Sequence, residues 1–140
     1  MNLGDKLALI EDGLQEIIGK DELVEILKTR NIKLYWGTAP TGKPHIGYLN
    51  PLLKIAQFIQ AGCDITILFA DLHAYLDSMK SSLEQIDSRT TYYEIIIKCI
   101  LLELNVDINA STIKFVKGTS YQLTPEYNME KYKLMSMVSS

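Results

Sequence analysis

Cysteine is scarce in this chain of 140 residues, and cationic charge is not in excess. Cys63 and Cys99 lie far apart, with no Cys or His at ligand spacing, which argues against a metal centre. They read as two buried thiols kept in a reducing compartment. Fourteen Lys and Arg stand against 17 Asp and Glu, giving a net charge of −3 and a pI of about 5.4. No basic face for gripping nucleic acid is announced. Apolar runs are all too short to cross a bilayer, so no membrane partner is expected. The first sixteen residues lack the basic start and apolar core of a secretion signal, and a cytoplasmic location is expected. Asn109-Ala110-Ser111 matches a glycosylation acceptor that a chain without such a signal would not use. Also missing are a Walker loop, a Gly-x-Gly-x-x-Gly turn and a nucleophile motif. Hydrophobic residues do make up 47%, enough for one domain with a real core.

The most informative stretch runs from Leu34 to Leu49. It begins as an extended apolar run, Ile32 to Trp36, and breaks at Gly37. It continues through Pro40-Thr41-Gly42-Lys43-Pro44 and ends in His45-Ile46-Gly47, ahead of a helical pattern. Strand, tight loop and helix start form the geometry that aims backbone N–H groups at an anion. Lys43 and His45 add side-chain donors to that loop, and Gly37, Gly42 and Gly47 leave room for a ligand or a turn.

Two short helices are expected before it. Leu3, Leu7, Ile10, Leu14 and Ile17 recur at helical spacing, as do Leu23, Ile26 and Leu27; Gly19 separates the runs and Asp21 can cap the second. A helix from about His45 to Ala61 should bury Leu49, Leu52, Leu53, Ala56 and Ile59, with Pro51 delaying or bending its start. Asp64 to Ala70 reads as a strand buried on both faces. Ser82 and Gln85 form a capping-box pattern for a long helix to about Glu103, with Ile86, Thr90, Tyr93 and Ile97 along one side. Ile113 to Lys117 is a third strand, and Thr124-Pro125 opens a last helix. The order predicts an α/β fold, one Rossmann-like βαβαβ half of a doubly wound parallel sheet at 31–140, behind an N-terminal helical segment at 1–30. Ligands of such sheets lie beyond the C-terminal strand ends. Here those ends are Gly37–Lys43, Ala70–His73 and Gly118–Gln122.

Pro44-His45-Ile46-Gly47 resembles the His-Ile-Gly-His nucleotide-binding signature of class I aminoacyl-tRNA synthetases, with Tyr48 at its fourth position. Tyr35-Trp36-Gly37-Thr38-Ala39, Leu68 to Leu76 and Gly118 to Leu123 resemble the tyrosyl-tRNA synthetases of eukaryotes and archaea. The resemblance covers nearly the whole chain. It implies ATP-dependent activation of L-tyrosine to tyrosyl-adenylate, with Mg2+ accompanying ATP, then transfer to tRNA(Tyr). It further implies that Tyr35, Gly37, Leu68, Ala70, His73, Tyr121 and Gln122 surround tyrosine. Ala39, Pro40, Thr41, Gly42, Pro44, Ile46, Gly47 and Tyr48 would take ATP, with His45 and Lys43 acting on its phosphates. No resident metal is implied.

Members of that family carry a second half-sheet, a lysine-rich loop and an anticodon-reading domain beyond this point, and the full-length enzymes are homodimers. The chain is therefore expected to be the N-terminal part of such an enzyme, inactive alone and with an open strand edge. Two other readings stay open. One is a small nucleotidyltransferase with a His-x-Gly helix start, though Ala39 to Lys43 does not match the usual approach to its histidine. The other is a non-catalytic module derived from a synthetase.

Overall fold

The computed structural model describes residues 1–138. Helices α1 (Leu3–Glu11) and α2 (Lys20–Thr29) precede strand β1 (Lys33–Thr38). A single 3-10 turn, Ile46–Tyr48, leads into α3 (Leu49–Gln60), followed by β2 (Asp64–Phe69) and α4 (Asp71–Ser78). Then come α5 (Leu83–Glu103), β3 (Ile113–Lys117), the short α6 (Thr119–Gln122) and α7 (Pro125–Val138). The three strands are parallel in the order β1-β2-β3, with Gly37 beside Leu68 and Leu68 beside Val116. This is the α/β half-sheet that the sequence predicts, with β1 at an edge.

Both crossovers step in the same direction, so the right-handed rule puts α3 and α5 on one side of the sheet. Ile65, Ile67, Phe69 and Ile113 are buried there with Leu52 and Ile55 of α3 and Tyr93, Ile97 and Leu101 of α5. Leu34 and Trp36 pack on the same core. The opposite face carries Tyr35, Gly37, Thr66, Leu68, Lys114 and Val116, none of them buried. Burial along β2 alternates, which corrects the expectation of a strand covered on both sides. A continuous apolar run cannot distinguish one covered face from two.

Several local expectations change. Helix α1 stops at Glu11, leaving Leu14 and Ile17 in the connection. Gly19, at φ 80°, caps α2 instead of Asp21, which sits inside the first turn. Pro51 is the third residue of α3, where its missing N–H is one of the donors a helix start leaves unpaired. No bend is needed. In α3 the buried residues are Leu52 and Ile55, whereas Leu49 and Leu53 are exposed. The Ser82–Gln85 capping box forms as expected. Cys63 is buried, and burial with Asp64 nearby pushes its thiol up; Cys99 is exposed, which corrects the expectation that both thiols are buried.

Candidate functional site

Three strand ends are laced together. Ala70 N–H donates to Thr38 O at 2.8 Å, and Gly118 N–H donates to Phe69 O at 2.9 Å. The backbone just past β1, β2 and β3 thus becomes one ledge. Asp71, only 6% exposed, fastens it further. Its Oδ1 accepts from Leu72 N at 2.8 Å and Thr119 N at 2.9 Å, and its Oδ2 from Thr119 Oγ1 at 2.6 Å. Asp71 is the first residue of α4, where the helix dipole favours negative charge. Asp71 is not among the site residues expected from sequence; a carboxylate directly after a buried strand is the signal it offers.

Of the residues assigned to tyrosine, Tyr35 and Gly37 stand on the open face of β1, Tyr35 with 72% of its surface exposed. Tyr35 therefore does not belong to the core. Leu68 is half-buried next to Gly37, and Ala70 lies on the ledge. A Cβ on Gly37 would come no closer than 3.8 Å to Leu68, so the chain's own packing does not demand glycine there. The missing side chain leaves space above the sheet. Tyr121 and Gln122 are half-buried on α6. Burial raises the Tyr121 phenol above its ordinary range, with Tyr127, Tyr35 and Asp71 pushing the same way, and its ring meets that of Tyr127 edge-on at 5.4 Å. His73 is two-thirds exposed, and its Nε2 lies 3.4 Å from Asp77 Oδ2 on its own helix.

The loop after β1 holds the second group. Pro40 is buried and anchors it, Ala39 and Pro44 are half-buried, and Thr41, Gly42, Lys43, His45, Ile46 and Gly47 face solvent. His45 caps the 3-10 turn: its Nδ1 accepts from Gly47 N–H at 3.0 Å. A neutral imidazole so engaged carries its proton on Nε2, leaving that N–H to donate outward. A Cβ on Gly47 would lie 2.6 Å from the His45 ring, so this cap requires glycine. Several loop amides are already used. Thr41 N–H donates to Ala39 O, Gly42 N–H to Tyr93 Oη and Tyr48 N–H to His45 O. Among the described residues, the backbone N–H groups of Lys43, His45 and Ile46 have no partner. With the Lys43 ammonium and His45 Nε2–H, they form a set of donors for an anion.

Tyr48 turns inward. Its ring meets Trp36 edge-on at 6.2 Å and Tyr93 at 5.8 Å, and lies 5.1 Å from His45. An apolar cavity of about 290 Å³ lies beside this cluster, between Ile46 and Leu49 on one wall and Ile96 and Ile100 of α5 on the other. No three His, Cys, Asp or Glu groups converge on a metal position among the described residues. No helix among them is long and apolar enough to cross a membrane.

Comparisons with known proteins match most of the chain. A family profile described as "tRNA synthetases class I (W and Y)" matches residues 27–139. The chain is 53% identical over 135 residues to a cytoplasmic tyrosine–tRNA ligase of Danio rerio, and 52% identical over 135 residues to that of Gallus gallus. Each match covers 96% of this chain but 25% of the relative, so the chain spans about a quarter of their length. A crystal structure of tyrosyl-tRNA synthetase complexed with L-tyrosine from Archaeoglobus fulgidus superimposes with a TM-score of 0.82 at 28% identity. That superposition covers 99% of this chain and 41% of the other.

Proposed function

Because the chain belongs to the class I tRNA synthetases for tryptophan and tyrosine, we propose that it carries the first half of a tyrosine-activating site. The substrates are L-tyrosine and ATP, and in the longer relatives' form the product passes to tRNA(Tyr). The carrying observation is the ledge of three joined strand ends, with Tyr35 on the open sheet face and the His45 loop following β1. Tyr35 offers a hydroxyl on an open sheet face where the substrate phenol would lie, and Gly37 makes space for the ring. Leu68, Ala70 and Gln122 complete the slot. His73 belongs to its rim. A site built to pair one phenol rejects phenylalanine because its own polar groups would be left unpartnered; the handling of tyrosine by this enzyme class is the standard illustration.

In the reaction the tyrosine carboxylate attacks the α-phosphorus of ATP and pyrophosphate leaves. This chemistry needs orientation and charge stabilisation more than a protein nucleophile. His45 Nε2–H and the amides of Lys43, His45 and Ile46 would donate to phosphate oxygens as charge develops. Losing one such donor costs about 3–4 kcal/mol of barrier. Mg2+ would arrive on the nucleotide, since the loop itself offers no carboxylate. A cytoplasmic location and a homodimeric full-length form complete the reading.

Trp36 is the only tryptophan, and it touches Tyr48 beside the loop. Its fluorescence should change saturably when Mg-ATP is added, whereas the 140-residue chain alone should show no tyrosine-dependent ATP–pyrophosphate exchange. A fluorescence signal indifferent to ATP, with and without tyrosine, would remove nucleotide binding from the proposal. Measurable exchange would show that these residues suffice for activation.

A further inference from the structure

We propose that Tyr93, from the middle of α5, positions the anion loop, and that Tyr48 links it to the end of β1. This deepens the function proposed above and rests on it for the identity of the anion. Tyr93 is only 2% exposed and packs in the core. Phenylalanine would fill the same volume, so packing alone gives no use for the hydroxyl. That hydroxyl instead accepts from Gly42 N–H at 3.4 Å, across 51 positions of sequence, and the Tyr93 ring meets the Tyr48 ring edge-on at 5.8 Å. The Tyr48 hydroxyl accepts from Thr38 Oγ1 at 3.2 Å. Thr38 is the last residue of β1, and its carbonyl holds Ala70 on the ledge.

A chain of side-chain contacts therefore runs from β1 through two phenols to the tip of the loop. It fixes Gly42 with its N–H turned inward, leaving the donors of Lys43, His45 and Ile46 to face solvent. It also gives Tyr48 a role: the phenol at the fourth signature position braces the loop from beneath and does not reach phosphate. Tyr93 is a positioning residue; it touches neither substrate.

The test compares Tyr93→Phe, Tyr48→Phe and a control, Tyr92→Phe, whose exposed ring shares the helix with Tyr93. Amide exchange at Gly42, read by NMR, should quicken about fivefold in Tyr93→Phe, the worth of one neutral hydrogen bond. Mg-ATP binding should weaken by a similar factor while L-tyrosine binding holds. Tyr48→Phe should shift both readouts in the same direction, and Tyr92→Phe neither. Unchanged exchange at Gly42 in Tyr93→Phe overturns the proposal whatever ATP does. Equal loss of ATP and tyrosine binding also overturns it, because that is the signature of a merely structural residue. If the wild-type chain binds no ATP but Gly42 exchange quickens, the brace stands and the nucleotide reading fails. Should Tyr93→Phe not fold, Tyr48→Phe carries the same comparison.

Discussion

Burial acts on two phenols of this chain. Burial first, then the neighbouring Tyr48 phenol, holds the Tyr93 hydroxyl above its ordinary range, and burial does the same to Tyr121. In the unfolded chain both would ionise near pH 10. The folded chain keeps protons that the unfolded chain gives up, so the associated stability is intact below about pH 10 and is lost as pH rises beyond it. An absorbance titration of the eight tyrosines should therefore show a late-ionising fraction, reduced in Tyr93→Phe. All eight titrating together near pH 10 would contradict the burial described for these two rings. What the sequence conveyed at this scale was residue type and approximate place. Tyr93 was visible only as one member of a helical stripe, because nothing in a linear pattern reveals that its hydroxyl meets a glycine 51 positions earlier. Cys99 was expected to be buried like Cys63, but it lies on the exposed side of α5.

At the scale of elements, the ledge depends on Asp71 joining the start of α4 to the start of α6. Asp71→Ala would strand the Thr119 and Leu72 amides and the Thr119 hydroxyl, at a cost of about 1–3 kcal/mol. Asp71→Asn keeps an acceptor and should cost less. Urea denaturation measures both, and equal stability of Asp71→Ala and wild type would show that the ledge does not need this carboxylate. The elements themselves were mostly legible. Ser82 with Gln85 marked the start of α5, Thr124-Pro125 that of α7, and the β-branched run of β2 its place in the sheet. The failures have separate causes. Leu14 and Ile17 kept the spacing of α1 after the helix had ended, because periodicity continues where hydrogen bonding need not. Helix α6, a single turn of four residues, is too short to leave a pattern.

For the whole molecule, topology made the site readable before any distance was known. Three parallel strands with helices crossing on one side leave the other face open, and their C-terminal ends must converge. The open face is where Tyr35 and Gly37 stand, and it separates the functional claim from the question of stability. Gly37 has no close neighbour, so Gly37→Val should leave the fold intact; a β-branched residue suits a strand. The decisive measurement is L-tyrosine binding, followed by ligand-detected NMR, in the wild-type chain and in Gly37→Val at matched thermal stability. The account predicts saturable tyrosine binding by the wild type, markedly weaker binding of L-phenylalanine, and loss of tyrosine binding in Gly37→Val. Tyrosine binding that survives Gly37→Val unchanged, or that phenylalanine matches, would place the substrate somewhere other than this face.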